Sequence, residues 1–318
     1  LSIAFLFITA PYPFEPIHLT LIGFTTTGAT ILGDVEALSH ASMLWRCLMH
    51  WVGGMGILVF MLIVLPLAGG QTIYLMRAES PGPSVSKISP HMRDTALILY
   101  AIYFGLTVLQ IILLLFGGMP IFDAICVSLG TAGTGGFGNW NNSIAHYNSA
   151  YLQNVISVFM ILFGINFNAY FLLLTRKFKQ LFKIEEIRVY LGVIAVFTTL
   201  IAFNVRGCFG SLRESFHHSL FQVASIITTT GFSTVDFNQW PAFSKLLLVL
   251  LMFIGACAGS TGGGMKCSRI LLLFKGVKKE MMSLIHPRLV RVHKMDGQRV
   301  QHEVMRSVNA FLVAYLIV

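Results

Sequence analysis

Acidic residues are scarce in this chain. Asp and Glu together number 13 in 318 residues, and all charged residues make up 11%. Soluble domains run near 25% charged; with 55% hydrophobic residues and a mean hydropathy of +0.75, an ordinary soluble domain is excluded. No cysteine pair has C-x-x-C spacing, and Cys47, Cys126, Cys208, Cys257 and Cys267 fall in or beside apolar runs. That argues against a disulfide or zinc framework. No nucleophile, base and acid group together within the apolar segments, so the chain is not read as an enzyme. Lys and Arg are missing from residues 29–43 and 117–150, whereas 16 of the 22 lie in 71–94, 176–188 and 275–306. By the positive-inside rule the basic segments face the cytoplasm and the uncharged ones face outward. The net charge of +9 thus reports topology, not a nucleic-acid partner. The basic stretch 176–188 suits an anionic inner leaflet or a partner surface, and membrane lipid is an expected partner.

Against this apolar background stand three polar turns. Phe216 to Ser225 has helical apolar spacing but only about half the roughly 20 residues of a full crossing, and it runs into Thr228, Thr229, Thr230 and Gly231. Bare backbone at membrane depth is tolerated only where it lines water or lies against protein. Threonine and glycine without nearby acid suit rows of carbonyl and hydroxyl oxygens that replace the hydration shell of a monovalent cation. Glycine allows the positive φ that such a turn requires. The motif recurs as Thr25, Thr26, Thr27 and Gly28, and in variant form as Gly133, Thr134, Gly135 and Gly136; the aligned glycines are 108 and 95 residues apart.

These repeats predict an all-α polytopic membrane protein of about six spans, written as span, half-helix, turn, span. The first pore unit occupies 1–70 with an incomplete leading helix, the second 95–175, and the third 187–277 with a broken exit helix. Cytoplasmic linkers occupy 71–94, 176–186 and 278–306, and 307–318 starts a fourth unit. The chain begins and stops inside apolar runs and is read as a fragment. Full spans are expected at 43–67, 96–116, 152–174 and 187–204. Arg46 and His50 share a helical face and either contact the ion path or, as favoured here, sit at an interface with Arg46 snorkelling beside Trp45 and Trp51. Gly53, Gly54 and Gly56 permit close packing. Asn166 and Asn168 are assigned to interhelical hydrogen bonding, with pore lining the alternative. Asp34, Glu36, Asp123, Glu214 and Asp236 flank the turns and either concentrate cations or cap helices, a role that suits Asp123 best.

The exit helix of the third unit is interrupted by Gly255, Gly259, Ser260, Thr261, Gly262, Gly263 and Gly264. Each glycine costs a helix about 1 kcal/mol relative to alanine, so the helix is expected to unwind and lie across the ion path as a gate. The alternative is a small-residue packing seam. Lys266 either lines the path or reaches the cytoplasmic headgroups. Residues 133–138 match G-x-G-x-x-G and 259–264 have P-loop spacing, but neither has the strand–turn–helix context of a nucleotide site.

FTTTGAT at 24–30, WRCLMHWVGGMGI at 45–57, TTTGFSTVDFNQWP at 228–241, GACAGSTGGGMK at 255–266 and RILLLFK ending at Lys275 resemble the TrkH/KtrB/HKT superfamily, and TrkH-type potassium uptake subunits in particular. The resemblance spans essentially the whole chain. It implies four helix–pore-loop–helix units in pseudo-fourfold arrangement around one pore, three of them present and the fourth truncated. It further implies a potassium filter formed by the three turns, an intramembrane gating loop at 255–264, and a homodimer in the bacterial inner membrane. Potassium is then the substrate, with no covalently bound cofactor. The implied partner is a cytoplasmic nucleotide-binding subunit of the TrkA type. The fourth filter and the amino-terminal spans of such proteins are not in this sequence. Glycine in all three turns favours potassium over sodium. The alternative is a secondary transporter of another cation or small solute using the broken helix as its site.

Overall fold

Within a bilayer an α-helix satisfies its backbone polar groups internally, and helix dominates the described residues: 15–30, 32–56, 92–286, 294–300 and 302–317 of the computed structural model. The apolar run 1–10, the inner end of the 43–67 span and most of the 71–94 linker lie outside them. The first unit contributes α1 (Glu15–Phe24) and α2 (His40–Gly54). The second contains α3 (Met92–Phe116), α4 (Ile121–Ala132), α5 (Ala150–Phe163) and α6 (Phe167–Leu174). After the short α7 (Phe178–Leu181), the third contains α8 (Glu185–Asn204), α9 (Leu212–Ile227), α10 (Ala242–Ile254) and α11 (Cys267–Ile285). An antiparallel hairpin of β1 (Lys294–Met295) and β2 (Gln298–Arg299) then leads to α12 (His302–Ile317).

Serine side chains start three of these helices, Ser39 accepting from Ser42 N–H, Ser149 from Leu152 N–H and Ser211 from Glu214 N–H, each satisfying a donor the helix leaves free. The short helix α9 packs on both the second and the third unit. Phe221 and Ala224 pack with Val127, Ile156 and Met160 of the second unit, while Val223 and Ile227 pack with Ile194, Ile201 and Leu251 of the third. By contrast, α3 exposes Phe104, Leu109 and Phe116, and α10 exposes Leu246, Leu250 and Phe253; these apolar faces suit lipid.

The structure redraws several expected boundaries. Among the described residues only α3 and α8 are unbroken helices long and apolar enough to cross a membrane, and the expected straight span at 152–174 is bent by 93° between α5 and α6. Glu185 and Glu186, assigned to a linker, form the first turn of α8. The expected 278–306 linker holds the end of α11, which continues to Ile285, and the start of α12 at His302. The hairpin is a small exception to an all-α fold.

Candidate functional site

Three short helices, α1, α4 and α9, end where the three polar turns begin. Each helix points its carboxyl end, carrying roughly half a negative charge of macrodipole, at its turn. The turns share one backbone pattern. Thr26, Thr134 and Thr229 adopt φ of 53°, 50° and 58°, and two residues later Gly28, Gly136 and Gly231 adopt 73°, 75° and 87°.

Their N–H groups bond backward. Thr27 donates to Ile22 O, Gly135 and Gly136 to Gly130 O, and Thr230 and Gly231 to Ser225 O. In a planar trans peptide the carbonyl of the preceding residue points the opposite way. The carbonyls of Thr26, Thr134, Gly135, Thr229 and Thr230 are thereby directed away from the helices that carry the turns. The turns are also neighbours: a Cβ built on Gly28 would lie 2.3 Å from Gly135 O, and one on Gly136 would lie 2.0 Å from Thr230 O. Gly133 is wedged against the His50 carbonyl, and Gly53 and Gly54 of α2 lie against Phe24 O and Gly133 Cα.

The threonine hydroxyls donate within their own turns and the helices that carry them. Thr25 and Thr228 donate to Leu21 O at 2.8 Å and Ala224 O at 2.6 Å, and each pairs with the hydroxyl two residues on, Thr27 or Thr230. Thr134 and Thr229 donate to the carbonyl of the residue before. These hydroxyls brace the helix ends, and among the described residues the carbonyls directed away from the helices are left without a partner on the carrying helix.

Behind the second turn lie Arg46 and His50. Arg46 is only 2% exposed, with its guanidinium carbon 3.7 Å from the Phe137 ring centroid, and His50 stacks on the same ring at 3.7 Å. The interfacial snorkelling expected of Arg46 is therefore not what the fold does with it. Phe137 immediately follows the second turn, and its ring holds the Arg46 guanidinium by a cation–π contact and the His50 ring by stacking.

Against the third turn, α10 and α11 are separated by an unwound loop. Gly255, Gly259 and Gly264 hold φ of 72°, 68° and 79°. The ends of the loop meet, with Cys267 N–H donating to Ala256 O at 2.9 Å. Ser260 donates to Cys257 O, and the buried Lys266 ammonium donates to the Gly262 carbonyl, so it does not reach a headgroup region. The tip touches the third turn: Gly263 N–H donates to Thr229 Oγ1 at 2.7 Å, and a Cβ on Gly262 would meet Thr228 O at 3.0 Å. On its other side the loop fills the α5–α6 bend. Cys257 N–H donates to Gly164 O, Phe167 N–H to Gly259 O, and Thr261 Oγ1 to Phe163 O. Two broken helices thus satisfy each other's freed backbone groups, the condition for irregular backbone at this depth. Asn166, expected to bridge helices, caps α6 by accepting from Asn168 N–H. Sequence reasoning missed this bend because a single glycine, Gly164, marks it.

Asp34, Glu36, Asp123 and Asp236 anchor the loops beside the turns. Asp123, in the first turn of α4 but not its cap, accepts from Asn139 at 2.6 Å, Tyr147 at 2.6 Å and Trp140 at 3.2 Å. Asp34 accepts from Asn141 and from Glu36 N–H, and Glu36 accepts from Asn141 N–H, joining the first two outer loops. The Asn141 amide, then the Glu36 N–H, hold the Asp34 carboxyl below its usual range; the Asn238 N–H, then Gln239, do the same for Asp236. Substituting Asp123 by alanine removes a buried acceptor from the Asn139 amide and the Tyr147 hydroxyl, while Trp140 Nε1 keeps the Tyr147 oxygen at 3.0 Å. A loss of about 3 kcal/mol is expected, read as an early thermal transition of the full-length protein in detergent, with a smaller loss for Asp34→Ala.

With this arrangement in place, the comparisons are specific. Residues 9–318 match the family model of TrkH, described as a cation transport protein. The chain belongs to the TrkH family. It is 38% identical over 301 residues to the Trk system potassium uptake protein TrkH of Salmonella typhimurium, covering 93% of this chain and 62% of that protein. Identity is 35% over 309 residues to the TrkH of Halomonas elongata, covering 96% and 64%. Among solved structures it is similar to the crystal structure of the potassium transporter TrkH from Vibrio parahaemolyticus, with a TM-score of 0.82 at 31% identity, covering 95% of this chain and 63% of that one. The chain therefore has a helical membrane protein fold and spans under two thirds of the length of these TrkH relatives.

Proposed function

We propose that this chain supplies three sides of the potassium-selective pathway of a TrkH-type uptake protein. The observation that carries the reading is the abutment of the three turns, Gly28 on the Gly135 carbonyl and Gly136 on the Thr230 carbonyl. Potassium entering from outside exchanges water for these oxygens, aided by three helix carboxyl ends and no fixed negative charge. The membrane potential adds about 2.3 kcal/mol per charge for every 100 mV. The loop 255–264 acts as the gate. Its polar groups are engaged with the third turn and the α5–α6 bend, which favours gating over a solute site in the broken helix. Assembly as a homodimer in the bacterial inner membrane, and control by a cytoplasmic nucleotide-binding subunit docking on the basic inner face, complete the proposal.

The test is selectivity in the full-length protein. Gly231→Ser is the cleaner variant, because a Cβ at Gly231 meets nothing within 4 Å among the described residues, whereas one at Gly28 meets a carbonyl at 2.3 Å. Potassium-over-sodium uptake in proteoliposomes is expected to fall about tenfold in each, equal to roughly 1.4 kcal/mol of discrimination. Unchanged ratios in both variants would refute the filter assignment.

A further inference from the structure

One buried carboxylate touches both limbs of the unwound loop. Glu186 Oε1 accepts from Ala258 N–H at 2.6 Å, on the limb that leaves α10, and from Ser268 N–H at 2.9 Å, in the first turn of α11. The residue is 3% exposed. An ionisable side chain in an apolar span points to a functional role by default, and here its two partners are backbone groups of the loop and of the helix that follows.

The helix turn that carries Glu186 is itself held from the cytoplasmic side. Asp296, in the turn of the β1–β2 hairpin, accepts from Glu185 N–H at 2.7 Å. Lys275 of α11 pairs with the Glu185 carboxylate and donates to Lys294 O of β1 at 2.8 Å. Asp296 and Gly297 adopt φ of 53° and 79°, the paired left-handed residues of a tight two-residue hairpin turn. Lys294, Asp296 and Gly297 are exposed. Met295 packs on the apolar cluster of Leu272, Met305 and Val308, fixing the hairpin to α11 and α12.

We propose that Glu186 is the positioning residue of the gate loop, and that the hairpin 294–299 is the lever through which a load on the cytoplasmic face reaches it. This rests on reading 255–264 as the gate. Moving the hairpin shifts the Asp296 cap on Glu185, and the neighbouring Glu186 then changes its hold on Ala258 and Ser268. The path runs through hydrogen bonds across adjacent residues to the loop read as the gate. Coupling between separated sites requires that this loop have a second, open arrangement, which the flux measurement tests.

The experiment uses full-length protein and two readouts, partner-free rubidium flux in proteoliposomes and hydrogen exchange of the 256–268 amides. Glu186→Ala is expected to raise flux about tenfold, a shift of closed-to-open population of the same factor, and to speed exchange at 258 and 268. Glu186→Gln keeps a carbonyl acceptor and is expected to restore part of both. Asp296→Ala should act in the same direction more weakly. The double variant should match Glu186→Ala alone, as for residues in one network. The rubidium-to-sodium ratio should stay at the wild-type value throughout. Unchanged exchange in Glu186→Ala would overturn the role of Glu186. Additive effects of the two substitutions would overturn the lever. Faster exchange with unchanged flux would refute the gate reading itself, and this inference with it.

Discussion

Gly136→Ala in the full-length protein is expected to cut rubidium uptake at least about a hundredfold, equivalent to roughly 2.7 kcal/mol, while leaving the protein folded and inserted. Two effects combine at this position. At φ of 75° an L-residue pays about 1–2 kcal/mol for the left-handed conformation. The new methyl would also lie 2.0 Å from Thr230 O, a backbone atom with no flexible side chain to yield. One turn must move, and the atom displaced is a carbonyl of the neighbouring turn. Gly231→Ala separates the two effects, having a similar backbone angle of 87° but no neighbour within 4 Å among the described residues. Its loss of uptake should be clearly smaller. Equal losses in both variants would show that backbone strain alone matters and that the turns do not act together.

The parts of this site legible in the sequence are those with a local cause. Repeated Thr-Thr-Thr-Gly marks the turns because positive φ is cheap only for glycine, and the glycine cluster between Gly255 and Gly264 marks the unwinding because helix propensity falls steeply there. Features with a tertiary cause were not legible. The break at Gly164 to Asn166 depends on hydrogen bonds from Cys257, Gly259 and Thr261, about a hundred residues away in sequence. Arg46 is buried because Phe137, from another unit, offers it a ring face. Glu186 sits at the edge of an apolar run, where a carboxylate looks like the end of a linker; only the returning limbs of the loop reveal what it holds. The threonine hydroxyls were half legible: their clustering was evident, but their use in bracing helix ends follows from the geometry of the last turn.

Deleting residues 260–263 of the full-length protein is expected to raise partner-free rubidium flux tenfold or more, about 1.4 kcal/mol per factor of ten. The deletion removes the Gly263 N–H that bonds Thr229 and the Gly262 backbone packed on Thr228 O, the contacts by which the loop meets the third turn. It does not require α10 and α11 to move. The limbs are already joined where Cys267 N–H meets Ala256 O and where Gly255 and Gly264 touch, and Gly259 keeps its carbonyl on Phe167 N–H. Loop-closure entropy changes only slowly with length, but the deletion also removes the Gly262 carbonyl that accepts from the buried Lys266 ammonium, so some loss of stability is expected as well. A packing seam makes the opposite prediction. Small residues that merely allow helices to approach would, on removal, lower the melting temperature and leave flux at its wild-type level. Because the lost Lys266 contact lowers melting under either reading, flux decides between the two: higher flux identifies a barrier in the ion path, and lower melting with unchanged flux identifies a seam.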